Sequence, residues 1–183
     1  MLEVNELGLG VFEIIPTRFG DDRGYFTETY NKQKLEPYGI SMEFVQDNQS
    51  YSVRKGVLRG LHYQLEPYAQ DKLVRVLKGR VYDVAVDIRQ GSSTFGKWVA
   101  LELTAEQGNQ ILIPKGFAHG FVTLEEHTIV AYKVSDYYSQ ECDRNIRYDD
   151  PDLAIKWPIL DVNYQLSDKD TAAPFLQSAQ VFE

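Results

Sequence analysis

The run from Lys72 to Ile88, KLVRVLKGRVYDVAVDI, alternates side chains with a period of two on either side of a Lys78-Gly79 turn, so it forms an antiparallel strand pair. Tyr82, Val84, Val86 and Ile88 share one face, and Asp83, Ala85 and Asp87 share the other. Similar short runs recur between Gly, Pro and Asp punctuation: Phe44–Asp47, Val57–Gln64, Trp98–Leu103, Gln110–Ile113, Gly120–Leu124 and Thr128–Val134. Helical signal is confined to Asn31–Tyr38 and a turn or two near the C-terminus. The fold class expected is all-β, an antiparallel barrel with a few short helices.

At 183 residues the chain is long enough for one domain that buries roughly 70% of its unfolded surface. No linker or repeat divides it, so 1–183 reads as a single domain, with about 137–183, rich in Asp, Tyr and Pro, as a capping segment folded over the barrel. A net charge of −8 argues against nucleic acid or an anionic membrane as partner, and any anion site must be a local cluster of bases. Cys142 is the only cysteine, which rules out an internal disulfide and suits a reducing, cytoplasmic setting. The N-terminus lacks the basic, then apolar pattern of a secretion signal, and no apolar run approaches the length of a membrane span.

Histidine is scarce: only His62, His119 and His127 occur. His62 lies in VLRGLHYQ, within reach in sequence of Arg59 and Lys72, and an imidazole among cations suits proton transfer on an anionic substrate. A single His on an apolar strand is more often a hydrogen-bonded core residue; two neighbouring cations of types that avoid burial shift the reading toward a cavity that holds an anion. Arg59 and His62 have opposite strand parity, so a bulge at Gly60 is needed to aim both at one cavity.

Gly108-x5-Pro114-x-Gly116-x2-His119 resembles the second motif of the cupin superfamily, in which a tight turn sends a histidine into a jelly-roll barrel. The region matching the first cupin motif carries His62 alone, followed by Tyr63 and Gln64. A transition-metal site needs about three protein ligands, so the ligand count argues against a metal.

Eight sequence words stand together and in order: FGDDRGYFTETY, FVQDNQSYS, VLRGLHYQ, KLVRVLKGRVYDVAVDIR, STFGKW, IPKGFAHGF, YKVSDYY and LSDKD. Over nearly its whole length the chain resembles the dTDP-4-dehydrorhamnose 3,5-epimerase family. The resemblance implies a cofactor-independent, metal-free cupin enzyme that inverts C3 and C5 of dTDP-4-dehydro-6-deoxy-glucose on the route to dTDP-rhamnose, and a homodimer. It implies His62 as base, Asp170 as the carboxylate that orients it, Tyr132 as proton donor and Lys72 beside the enolate oxygen. Arg59 and Arg23 match positions at the diphosphate, where His119 helps or else sits against Asp83. Glu28, Gln46 and Asn48 match positions near the thymidine, and Phe19 and Arg23 come from the neighbouring subunit. The chemistry is self-consistent, because a C4 ketone acidifies both adjacent C–H groups and one base, one acid and one oxyanion stabiliser suffice.

The chain departs from the family pattern at Asp71, Ser93 and Tyr148, and Asp71 is expected to soften the positive field around Lys72. Two rivals share part of these expectations: a relative that epimerises one centre or isomerises a dTDP-4-keto sugar, and a silent cupin that binds a nucleotide sugar without turnover.

Overall fold

The computed structural model describes residues 2–183. In chain order the strands are β1 (Glu3–Gly8), β2 (Val11–Ile15), β3 (Arg18–Asp21), β4 (Gly24–Thr27), β5 (Gln46–Ser52), β6 (Leu58–Gln64), β7 (Lys72–Lys78), β8 (Arg80–Asp87), β9 (Trp98–Thr104), β10 (Gln110–Ile113), β11 (Phe117–Thr123), β12 (Thr128–Val134) and β13 (Asp143–Asn145). Helix α1 (Lys32–Leu35) follows the N-cap Asn31, whose side chain accepts from the Lys34 N–H, and passes into a 3-10 turn, Glu36–Tyr38. A second short helix, α2 (Asp168–Thr171), has Ser167 as N-cap.

The strands form two facing antiparallel sheets. One runs β1-β2-β10-β7-β12-β5, the other β13-β6-β11-β8-β9, and β3-β4 is a separate hairpin. This is the antiparallel jelly-roll of the cupin type, with alternate residues of both sheets pointing between them. Val11, Val74 and Ile111 from the first sheet meet Val81, Ala85 and Leu103 from the second in that core, all at 0% exposure. Each of the Val, Ile and Leu side chains among them stabilises the fold by about 1.5–3 kcal/mol relative to its exposed state, and Ala85 by less.

The outward face of the five-stranded sheet is covered as well. Leu61, Val84, Val86, Ile88 and Ala118 pack under Ile146, Leu153, Trp157 and Phe182 of the C-terminal segment. Leu35 and Ile40 cover Ile14, Leu73 and Leu112 on the other sheet. The two faces of β8 therefore separate as its alternation requires, with Val84 and Val86 outward and Val81, Asp83 and Ala85 inward.

The STFGKW word has a structural use. The Asp87 carboxylate, 0% exposed, accepts from Arg89 Nε at 2.9 Å, Ser92 Oγ at 2.7 Å and Thr94 Oγ1 at 2.6 Å, which closes the loop between β8 and β9. Among the described residues no helix is long and apolar enough to cross a membrane.

Candidate active site

A cleft of about 380 Å³ opens between the sheets, lined by Gln46, Asn48, Arg59, His62, Lys72, His119 and Tyr132 among others. Strand register explains why these side chains converge. On β12, Tyr132 shares its face with Val130 of the core, and β5 pairs Gln46, Asn48 and Ser50 with Val134, Tyr132 and Val130. Lys72 shares the inward parity of Val74 and Val76 on β7. On β11, His119 stands between the inward rings of Phe117 and Phe121.

The bulge expected at Gly60 is present. Arg59 pairs with Phe121 and His62 with His119, so Gly60 and Leu61 together oppose Gly120 alone. That one-residue excess brings Arg59 and His62 to the same face.

His62 and Asp170, 108 positions apart, meet through Nε2 and Oδ1 at 2.5 Å. Asp170 is 2% exposed and sits in α2, where Ser167 Oγ donates to its Oδ2 at 2.8 Å and the Gly60 backbone also hydrogen-bonds it. Burial pushes the Asp170 carboxyl up, but the hydrogen bond and charge of His62, with Ser167 and Gly60, hold it below the ordinary range. It is therefore a carboxylate at neutral pH. With Nε2 engaged, Nδ1 is the imidazole nitrogen left for a substrate.

Lys72 is buried and donates to the His62 carbonyl at 3.3 Å. Burial pushes its ammonium down to about 8, against the attraction of Asp83 and Asp143, with Lys169 adding to the drop. Burial also raises the Tyr132 phenol, outweighing nearby Arg59, so it keeps its proton across the neutral range. His119 is held by Asp83, both of whose oxygens lie 2.9 Å from Nε2, which matches the second of its two expected placements.

Arg59 Nε and Ser50 Oγ are buried at the cleft with no hydrogen-bond partner among the described residues. Phe19, Arg23 and Glu28 are not brought to this cleft within one chain. Phe19 and Arg23 project on the β3-β4 hairpin, where Arg23 pairs with Asp21 at 2.5 Å, and Glu28 pairs with Lys34 beside α1.

Asp71 is held by hydrogen bonds of its own. Its carboxylate accepts from the Ser135 hydroxyl at 2.8 Å and the Lys115 N–H at 2.9 Å, which ties β7 to neighbouring loops. Asp83, Asp143 and Lys169 are charged groups that shift Lys72. Tyr148 serves the cap, accepting from Trp157 Nε1 at 2.8 Å through its carbonyl.

Sequence reasoning missed Tyr138, Asp143 and Lys169 at the cleft wall, where Asp143 pairs with Lys169 and accepts from Tyr138 Oη at 3.3 Å. Lys169 and Tyr138 lie inside the LSDKD and YKVSDYY words, so the signal was adjacent to residues already singled out. Among the described residues, no three His, Cys, Asp or Glu side chains are grouped to hold a metal ion.

The chain matches the family model described as dTDP-4-dehydrorhamnose 3,5-epimerase over residues 8–178. A dTDP-4-dehydrorhamnose 3,5-epimerase of Shigella flexneri is 53% identical over 161 residues, spanning 87% of this chain and 86% of the relative. A dTDP-6-deoxy-D-glucose-3,5-epimerase from Legionella pneumophila, solved in complex with dTDP-4-keto-L-rhamnose, superposes with a TM-score of 0.92 at 49% identity, covering 97% of this chain and 94% of that one. The Bacillus anthracis dTDP-4-dehydrorhamnose 3,5-epimerase, with TDP and PPi bound, gives 0.91 at 49% identity, covering 96% and 99%.

Proposed function

The chain belongs to the dTDP-4-dehydrorhamnose 3,5-epimerase family, and from that membership we propose how its residues carry the reaction. It is an epimerase that converts dTDP-4-dehydro-6-deoxy-glucose to dTDP-4-dehydro-rhamnose by inverting C3 and C5. The observation that carries the site assignment is that His62 stands on one sheet and Tyr132 on the other, both facing one cleft. A sugar ring lying between them meets a base on one face and an acid on the other.

His62 Nδ1 removes the proton from C3 or C5, and the electron pair of the broken C–H bond moves into an enolate with its charge on the C4 oxygen. Asp170 stabilises the imidazolium and fixes its orientation. The Lys72 ammonium meets the enolate oxygen, where a preorganised cation in a water-poor site acts strongly. Tyr132 returns a proton from the opposite ring face, which inverts the carbon. No redox step is involved, so the chemistry requires neither cofactor nor metal.

Arg59 suits the diphosphate, since its buried Nε has a donor to offer. His119 lies beside it on the cleft wall, and Gln46 and Asn48 present amides for the thymine edge. Phe19 and Arg23 reach the site from a second copy of the chain, and Glu28 serves the thymidine. Support for that homodimer lies in the β3-β4 hairpin, whose Phe19, Tyr25 and Phe26 are 57–66% exposed. The whole chain acts as one catalytic domain with a C-terminal cap, and its single cysteine suits the cytoplasm.

The test is incubation of chelator-treated protein with the 4-keto sugar nucleotide in deuterated water. Label at both C3 and C5 supports the reading, and label at one centre points to a monofunctional epimerase. Unlabelled, unchanged substrate would leave only a binding protein, and loss of activity to the chelator would overturn the metal-free assignment. Equal exchange in wild type and His62→Ala would exclude His62 as base.

A further inference from the structure

Asp83 has no part in the proton transfers just described, yet its carboxylate is fully buried inside the barrel. It projects from the middle of β8 on the face it shares with Val81 and Ala85, and it is 0% exposed. A carboxylate in such a place loses its hydration, and a buried charge with one partner is weak evidence of a stability role. Its one side-chain hydrogen-bond partner among the described residues is His119 Nε2, 2.9 Å from both oxygens.

Lys72 is also buried and lines the same cleft as His119. Its ammonium donates to a neutral carbonyl, that of His62 at 3.3 Å, and no carboxylate lies within ion-pair distance of it among the described residues. The groups that face it come from several elements: Asp83 on β8, Asp143 on β13 and Lys169 on α2, with His62 on β6 and His119 on β11 beside it. Asp83 is the strongest of the groups that oppose the loss of its proton. Burial raises the Asp83 carboxyl itself, while His119 and Lys72 pull it back, so the three groups depend on one another.

We propose that Asp83 is a positioning residue for the epimerisation: one buried carboxylate that fixes the His119 ring through Nε2 and, from the same place, keeps the Lys72 ammonium charged beneath the forming enolate. The inference rests on Lys72 being the enolate stabiliser. It accounts for an acid at this position, since Asn or Ser could hold the imidazole but could not supply the field.

Asp83→Asn separates the two duties, because the amide oxygen still accepts from His119 while the charge is gone. Lys72 in the free protein is followed by NMR of the labelled lysine ε-carbon, beside the pH profile of kcat/KM. The Lys72 midpoint, about 8 in wild type, is expected to fall by about one pH unit, and the alkaline limb of activity to fall with it. The deficit at pH 8 must then exceed the deficit at pH 6. An unchanged Lys72 midpoint, or the same loss at every pH, overturns the proposal and leaves Asp83 a structural partner of His119.

Should Asp83→Asn fail to fold, Asp83→Ser removes the same charge with a smaller side chain. The Lys72 midpoint must then fall as well, and an unchanged midpoint overturns the proposal. Full activity in Lys72→Met would instead defeat the assignment of Lys72 itself, an outcome the titration does not depend on.

Discussion

His62 and Asp170 share a 2.5 Å contact across 108 positions of sequence, and the carboxylate side of that contact is 3% exposed while the imidazole side is 35% exposed. The buried partner is thus locked by Ser167 and the Gly60 backbone, and the exposed partner faces the cleft. A charge held in place on the far side of an imidazole favours the imidazolium that proton abstraction creates.

Asp170→Asn should keep the hydrogen-bonding shape and lose the charge. The expected result is a fall in kcat of about 10²–10⁴-fold with little change in dTDP affinity. Steady-state kinetics with an equilibrium dTDP titration checks it; a tenfold weaker dTDP affinity with kcat retained would place Asp170 in binding instead.

Lys72 gives the enzyme an alkaline limit. Its pKa is depressed from 10.5 to about 8, so the ammonium is present below that value and is lost as pH rises through it. The profile of kcat/KM should therefore fall above pH 8, and Lys72→Arg, whose guanidinium stays charged, should remove that limb even if the absolute rate drops. The same shift has a stability sign: burying the charged lysine opposes folding below its folded pKa, and that penalty disappears as pH rises toward 10.5.

The proposed dimer predicts complementation. His62→Ala loses the base of its own site, and Arg23→Ala loses a group that serves the other copy. Co-expression of the two should yield mixed dimers with an intact site, restoring roughly a quarter of wild-type activity if subunits pair at random. No recovery above the separate variants would show that Arg23 acts within its own chain.

The Asp87 cluster governs acid stability. Burial raises this carboxyl, yet its bonds to Arg89, Thr94 and Ser92 win and hold it far below the ordinary value of 3.8. A depressed carboxyl stabilises the fold fully above the unfolded value and progressively less as pH falls below it toward the folded one. Asp87→Asn should cost about 2–4 kcal/mol at pH 7, with the gap to wild type narrowing below about pH 4. Denaturant melts across that range read the difference directly.

Hydrophobic alternation made the barrel strands legible, and Gln110–Ile113 and Thr128–Val134 have the bounds expected of them. It failed at β5, expected over Phe44–Asp47 and found at Gln46–Ser52, because the inward positions Gln46, Asn48 and Ser50 are polar. They face the cleft instead of the core, so the signal that marks a strand is absent where the strand serves the site. The strands β1–β4 were not anticipated, since most of their residues are half-buried or exposed and no clean two-residue period survives. Asp170 could be joined to His62 only through resemblance to a family, because its own surroundings in LSDKD read as a solvated turn. Helix α2 carries it inward, and nothing local to that segment announces the destination.

Gly60 is where the site depends most on a missing side chain. It holds φ at +128°, and a Cβ there would meet Gly120 Cα at 2.5 Å and the His119 carbonyl oxygen at 2.8 Å. Both obstacles are backbone, so neither can swing aside, and β6 and β11 would have to part at the bulge. Gly120 is equally confined, since a Cβ on it would lie 2.9 Å from the Arg59 carbonyl oxygen. Gly60→Ala should therefore destabilise the fold by about 2–4 kcal/mol, combining the left-handed backbone with the clash. Gly91→Ala, where a Cβ meets nothing within 4 Å, should change stability by no more than about 0.5 kcal/mol. In whatever fraction of Gly60→Ala folds, Arg59 and His62 should no longer be held on one face, so kcat and dTDP affinity should fall together. Urea melts of the two alanine variants, with kinetics on the folded protein, decide it: similar small losses in both would mean that the bulge yields readily and does not fix the relation between the base and the phosphate-binding arginine.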